Sequence, residues 1–155
     1  MSNLLVVRDK VQRYAKDLFE TVMIGDSGEI IVPYESTRVF IEVGEFPQEE
    51  DLIKFRREFD LSETFINIYA PVLLELKPSN ELFKWIATEG QSYDYVHMRY
   101  VEIDSGGVIE VRYALPGDSV DPGELKNALL AVAVCADNQD DELQKIFGGK
   151  KVSDL

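Results

Sequence analysis

The chain has 155 residues, 45% of them hydrophobic and 10% aromatic, which fits one domain with a sizeable core and excludes a disordered protein. The chain has 16 lysines and arginines and 29 aspartates and glutamates, and the resulting formal charge of −13 disfavours nucleic acids and anionic membranes as partners. No apolar run reaches transmembrane length, the apolar start MSNLLVV is too short for a signal peptide, and the single cysteine implies no disulfide, so we expect a cytoplasmic protein.

The N-terminal part of the chain predicts one helix followed by a β-hairpin. Residues 4–24 show helical periodicity, with Gly25 as the expected end, and the apolar positions are Val7, Val11, Tyr14, Leu18 and Val22. Two alternating strands follow, one with Ile30, Val32 and Tyr34 and one with Val39, Ile41 and Val43. Pro33 cannot donate to a strand ladder, so we expect it at a sheet edge or a bulge.

Residues 47–63 form a charged segment for which two structures are open. Leu52, Phe55 and Phe59 would share one face of a short helix. The alternative is a long mobile insertion whose apolar side chains touch the core loosely, because short helices are marginal on their own.

Residues 64–76 predict a strand, and residues 78–90 predict a short helix. The strand places Ile66, Ile68, Ala70, Val72, Leu74 and Leu76 on one face, and Pro71 again indicates a bulge or an edge. Ser79 or Asn80 is expected to cap the helix and Gly90 to end it. Leu82, Phe83, Trp85 and Ile86 surround more than half of this helix, so it needs a second cover besides the sheet, either a loop or another copy of the protein.

The C-terminal part predicts a second hairpin and a long helix. Residues 94–103 and 108–115 form the hairpin across Ser105-Gly106-Gly107, with Ile109, Val111, Tyr113 and Leu115 on one face. The helix begins with Asp121 as cap, Pro122 at the first position and Glu124 completing a capping box, and it ends at Gly148. Its core face consists of Leu125, Leu129, Val132, Ala136, Leu143 and Phe147. The polar run at residues 137–142 is expected to be a solvated part of the helix or a short break.

These elements predict an α+β fold, in which helices pack beside an antiparallel sheet. The expected order is helix, strand, strand, strand, helix, strand, strand, helix, in a single domain over residues 1–155.

No group of residues in the sequence points to catalysis. His97 is the only histidine, and no residue stands at metal-ligand spacing from it. The acidic run at residues 137–142 lacks the glycine and glutamate of a calcium loop, and no Gly-rich phosphate loop is present. We therefore expect no enzyme, no cofactor and no metal. A less favoured alternative is a small-ligand pocket between sheet and helices, lined by Tyr95, His97 and Tyr113.

Several short segments resemble one known family. They are TRVFI at 37–41, APVL at 70–73, EL at 81–82, WIATEG at 85–90, LPGD at 115–118, DPGEL at 121–125, AD at 136–137, DDEL at 140–143 and FGG at 147–149. With the element order, they resemble the class I (CesT-type) type III secretion chaperones and, among these, the YbjN-like branch, in particular the actinobacterial YbjN-type proteins described as peptide-binding chaperone domains. The likeness covers residues 28–149, and residues 47–63 look like an insertion relative to the family.

This resemblance implies a noncatalytic, chaperone-like domain that holds an extended segment of a partner protein. Relatives with this fold are commonly homodimers that use the middle helix and the adjoining sheet, which agrees with the two-sided apolarity of that helix. The resemblance therefore implies a dimer or partner interface at Phe83, Trp85 and Ile86. The acidic surface would favour basic partner peptides. The alternative function is a regulatory or interaction subunit that binds one folded partner.

Overall fold

The computed structural model describes residues 3–155, which form one antiparallel sheet with helices. The helices are α1 (Leu4–Leu18), α2 (Glu50–Glu58), α3 (Asn80–Ala87) and α4 (Pro122–Phe147). The strands are β1 (Met23–Ile24), β2 (Ile30–Tyr34), β3 (Thr37–Glu45), β4 (Thr64–Leu76), β5 (His97–Ile103) and β6 (Gly106–Pro116). The predicted α+β class is confirmed, and the expected element order lacked two elements, β1 and α2.

The sheet has six strands in the order β1-β2-β3-β4-β6-β5, and every neighbouring pair is antiparallel. One face, called the inner face here, carries buried side chains such as Ile41, Ile68 and Val111, and it packs with apolar residues of α1 and α4 in a single core. The other face, called the outer face, carries polar and half-buried side chains such as Glu42 and Arg112. This alternation is the period-two pattern of a sheet with one covered face.

The long helix α4 begins and ends as its sequence predicts. The Asp121 side chain accepts from the backbone N–H of Glu124 at 2.8 Å, and the Glu124 side chain accepts from the backbone N–H of Asp121 at 3.1 Å, which completes the capping box. Gly148 follows the last turn with φ of 73°, a left-handed value that favours glycine.

The polar run at residues 137–142 continues α4 without a break and is only partly solvated. Asp140 is buried, and its Oδ2 lies 2.9 Å from the hydroxyl of Ser36. The same hydroxyl lies 2.5 Å from Oδ1 of Asp137. The expectation of a fully solvated stretch is therefore wrong for Asp140, because the turn between β2 and β3 lies against this part of the helix.

The first helix is shorter than predicted. It ends at Leu18, and Phe19 has extended dihedral angles. Residues 23–24 form β1 and pair with Ile30 and Ile31, across a turn in which Gly28 has φ of 84°. The expected helix up to residue 24 is wrong because β-branched residues such as Val22 and Ile24 favour extended backbone next to an available strand.

For residues 47–63, the helix is the structure present, but its apolar side chains are exposed. Leu52, Phe55 and Phe59 of this segment all face solvent, and no residue of α2 is buried. The Arg56 guanidinium instead faces the body of the protein, where it lies 3.4 Å from the centre of the Phe46 ring and donates to the carbonyl of Ser62 at 2.8 Å.

Both prolines predicted at irregular positions lie where a missing N–H is tolerated. Pro33 pairs with Arg38 of β3 on one side. On its other side it has no strand partner, because β1 pairs only with Ile30 and Ile31 at the opposite end of β2. Pro71 lies beside a register shift in the pairing of β4 with β6. The predictions of an edge or bulge at these two positions are confirmed.

The region around α3 differs in its boundaries from the prediction. Ser79 caps the helix by accepting from the N–H of Leu82 at 3.1 Å. The helix ends at Ala87, not Gly90, and a short 3₁₀ turn over Glu89–Gln91 follows. The next strand starts at His97, so residues 94–96, predicted as strand, are a loop.

Asp118 joins three separate parts of the chain. Its carboxylate accepts from the N–H of Glu63 at 2.8 Å and from the hydroxyl of Thr64 at 2.5 Å. Its own N–H donates to the Ser62 hydroxyl at 3.1 Å, and its carbonyl accepts from Lys10 of α1 at 3.0 Å. The loop before α4 is thereby fixed to the start of β4 and to α1.

Gly149 allows the end of the chain to pair with β4. Lys150 and Leu74 exchange both backbone hydrogen bonds, at 2.8 and 2.9 Å. Gly149 has φ of 78°, and a Cβ there would lie 2.6 Å from the Leu74 carbonyl oxygen. Gly148 has a similar φ, but a Cβ there would meet nothing within 4 Å.

We expect Gly149→Ala to lower the free energy of unfolding clearly more than Gly148→Ala does. Both variants suffer the backbone strain of a positive φ, about 1 kcal/mol, whereas only Gly149→Ala also collides with β4. Urea unfolding of the two variants measures the difference, and equal losses would show that the contact with β4 contributes nothing.

Within the described residues, no helix combines the length and the apolar character that crossing a bilayer requires.

Candidate functional site

The surface around α3 contains the residues that the sequence predicts at an interface. Leu82 points into the core, and Phe83 on the next position is 43% exposed. The Phe83 ring packs edge-on against Tyr100 of β5, with ring centres 5.1 Å apart. Gly107 leaves room for the Tyr100 ring, which a Cβ at that position would overlap. An aromatic pair is therefore held at the surface by one helix and the edge of the sheet.

Trp85 and Ile86 lie deeper than Phe83. Both are half-buried, and the Trp85 ring packs edge-on against Phe147 at the end of α4, with ring centres 6.0 Å apart. The three predicted interface residues therefore lie on one short helix but differ in exposure. Phe83 offers its side chain to solvent, whereas Trp85 also stabilises the contact between α3 and α4.

The outer face next to this edge carries a network of charges. Glu110 of β6 is buried, and its Oε1 accepts from Nε of Arg99 at 2.6 Å and lies 3.7 Å from Nε of Arg112. Tyr69 of β4 lies beside Arg112 of β6, and its hydroxyl donates to the Glu42 carboxylate at 2.8 Å. Burial first, and Glu42 second, raise the pKa of Tyr69, so its hydroxyl stays protonated and keeps this bond. The two carboxylates of this network, Glu110 and Glu42, are thereby both paired with donor groups on the same face of the sheet.

His97 belongs to this outer face and not to a pocket. It lies opposite Arg112 in the pairing of β5 with β6. Partial desolvation lowers the pKa of His97, and the charges of Arg112 and Arg99 lower it further, so the imidazole is neutral at pH 7. The predicted grouping of His97 with Tyr95 and Tyr113 is wrong. His97 lies on the same face of the sheet as its partner Arg112, whereas Tyr113, the next residue of β6, points to the opposite face.

Tyr95 and Tyr113 do line a common cavity. It has a volume of about 530 Å³ and lies between β6, the N-terminal half of α4 and the loop before β5. Its wall comprises Tyr95, Tyr113, Leu115, Glu124, Asn127, Ala128, Leu130 and Ala131. The small side chains Ala128 and Ala131, three positions apart on α4, make the space. The sequence shows this spacing, but apolar helix residues in the same run are also typical of a filled core.

A second cavity of about 320 Å³ adjoins the first, and the two share Tyr95 and Ala131. Cys135 lies in its wall and is half-buried. Burial raises the pKa of the Cys135 thiol to about 11. Within residues 3–155, no three His, Cys, Asp or Glu side chains are grouped to hold a metal ion.

We expect Cys135 to react slowly with a thiol reagent in the native protein at neutral pH. The thiolate is the nucleophile, and a pKa near 11 leaves a very small thiolate fraction. The labelling rate should rise with pH up to that value and should rise sharply in denaturant. Rapid labelling of the native protein at neutral pH would contradict this description of the second cavity.

Residues 6–155 match the family described as "T3SS (YopN, CesT) and YbjN peptide-binding chaperone 1". The chain belongs to this family. The peptide-binding chaperone assignment confirms the predicted resemblance and the predicted noncatalytic, peptide-binding function.

A solved structure shares the fold of this peptide-binding chaperone. One chain of the structure described as "Crystal Structure of the ExsC-ExsE Complex" superposes with a TM-score of 0.58 at 10% sequence identity, over 91% of this chain and 96% of that chain. At that identity the likeness concerns the fold. No curated protein matches this chain.

Proposed function

We propose that this peptide-binding chaperone is a cytoplasmic homodimer, assembled on α3, that holds an extended segment of a partner protein. The exposed aromatic surface of α3 and β5 carries the dimer part of the proposal. Family membership carries the chaperone part, and the single free cysteine agrees with a reducing compartment.

The dimer interface would centre on Phe83. Its ring is already packed against Tyr100 on one side, so contact with a second copy needs little further ordering of the side chain. A stable interface buries about 800 Å² per partner, which is more than one aromatic ring supplies. Trp85, Ile86 and the neighbouring part of β5 would supply the remainder, in a two-fold arrangement in which the same residues of both copies meet.

The sheet provides a means of holding an extended segment. In the described part of the chain β5 covers only part of the length of β6, so the sheet has an open edge at this end that offers backbone groups to an added strand. Complementarity to the net charge of −13 favours a partner segment with basic residues. The solved structure with this fold is a complex of two proteins, ExsC and ExsE, which agrees with a partner-holding role.

Co-expression with proteins of its own source, followed by limited proteolysis of the purified complex, tests this function. We expect one partner protein to remain bound, with a short segment protected from cleavage by the dimer. A captured partner that is protected over its whole folded domain would favour the alternative of a regulatory subunit. A protein that retains no partner and protects no segment would contradict the proposal.

A further inference from the structure

The last four residues of β6 have a strand neighbour on one side only. Pairing with β4 continues up to the pair Phe65 and Pro116. Pairing with β5, in contrast, reaches only as far as His97 opposite Arg112. Within residues 3–155, the β5 side of residues 113–116 is therefore an open strand edge. Backbone groups at such an edge can hydrogen-bond to an added strand.

The larger cavity lies directly beside this open edge. Tyr113 and Leu115 belong to the inner face, opposite Ile68 and Ile66 of β4, and both line the cavity. The opposite wall is α4, with Ala128 and Ala131. An added strand would continue the line of β5, and every second side chain of it would point to the inner face and into this cavity.

Tyr95 marks the entrance to the cavity. Its side chain lines both cavities but is 73% exposed. Residues 94–96 precede β5 and form a loop, so they do not pair with the open edge of β6. A volume of about 530 Å³ lies in the range of sites for small organic groups, and the adjoining 320 Å³ extends it along α4. Two successive inward side chains of a strand are about 7 Å apart, so they could reach neighbouring spaces.

The charged residues that line the two cavities are both acidic. Glu124 lines the larger cavity, Asp94 lines the smaller one, and no lysine or arginine lines either. An occupant with basic side chains beside its apolar ones therefore fits the rim. A second copy of this acidic chain fits less well, since it would bring a net charge of −13 with it.

We propose that an extended partner segment pairs with residues 113–116 of β6, inserts alternate apolar side chains between Tyr113 and Ala131, and places basic side chains near Glu124 and Asp94. The inference rests on the proposed peptide-holding function and assigns its location and the chemistry of the segment. The dimer surface at Phe83 is a separate feature of the chain.

A fluorescein-labelled peptide that alternates leucine with lysine tests this site by fluorescence anisotropy. We expect saturable binding that Ala131→Phe weakens about ten- to a hundredfold, because the new ring fills the space of one buried leucine side chain. Leu5→Phe on α1 places the same ring at a position that is 72% exposed and outside both cavities, and its Kd should equal that of the unaltered protein. Circular dichroism checks that both variants fold.

Two further peptides separate the parts of the inference. A peptide with glutamate in place of lysine should not bind, since Glu124 and Asp94 would repel it. A peptide with N-methyl groups on alternate amides should bind at least about tenfold more weakly, because it cannot donate to the strand edge. The bound leucine–lysine peptide should also slow alkylation of Cys135, which lies in the wall of the smaller cavity.

Several results would overturn the site. One is the absence of saturable binding of the leucine–lysine peptide, and another is a Kd for Ala131→Phe equal to that of the unaltered protein. The third is a change in self-association in Ala131→Phe, which would indicate a second copy as the occupant. If the co-expressed partner is still captured in these cases, the peptide-holding function stands and only this location fails. If no partner is captured either, the proposed function fails with it.

Discussion

Phe83→Glu is expected to convert the proposed dimer into a folded monomer. Phe83 is 43% exposed and packs against the Tyr100 ring at the surface, so a carboxylate there can remain in water when the chain is monomeric. In a two-fold interface the same carboxylates of both copies would face each other without solvent, which costs several kcal/mol. Light scattering gives the mass, and thermal unfolding shows that the monomer is folded.

Two control variants distinguish an interface from a core position. Trp85→Glu should unfold the protein rather than separate the copies, because the half-buried ring packs against Phe147. Phe83→Leu keeps an apolar side chain and should leave the dimer intact. An unchanged mass for Phe83→Glu would contradict an interface centred on α3.

Asp118→Ala is expected to lower the free energy of unfolding by about 3 kcal/mol. The substitution removes the acceptor for the Glu63 N–H and for the Thr64 hydroxyl. Thr64 is fully buried, so its hydroxyl would lose its partner out of reach of solvent. Hydrogen bonds to a charged group contribute about 1.5–3 kcal/mol each, and an unsatisfied buried donor adds a penalty. Urea unfolding measures the loss.

Asp118→Asn provides the matched control. The amide keeps one oxygen acceptor but turns an NH₂ group toward the second donor, so the loss should be smaller than for alanine. A loss below about 1 kcal/mol for Asp118→Ala would mean that the loop before α4 is held by backbone contacts alone, such as the bond from the Gly117 N–H to the Thr64 carbonyl at 2.9 Å.

The parts of the fold that the sequence predicts well are those set by local chemistry. The capping box at Asp121 and Glu124 and the glycine at position 148 fix both ends of α4, and each acts within a few residues. Pro33 and Pro71 constrain their strands through a missing N–H, whatever the rest of the fold does. The alternation of β6 follows from one buried sheet face.

The parts that the sequence does not predict depend on contacts between distant residues. β1 exists because Met23 and Ile24 have β2 beside them, and helical periodicity alone cannot show that neighbour. Asp140 is buried because the β2–β3 turn lies against α4. The cavity beside Tyr113 arises because β5 begins only at His97, a boundary for which residues 94–96 give no local signal. The side to which His97 points follows from the same register, so local pattern does not predict it either.

Native mass spectrometry of the protein purified with its partner segment tests the central claim most directly. We expect a complex of two copies of the chain with a bound segment, and removal of that segment should leave the two copies together. A single chain with or without a bound segment would contradict the dimer, and a dimer that never retains a segment would contradict the chaperone function.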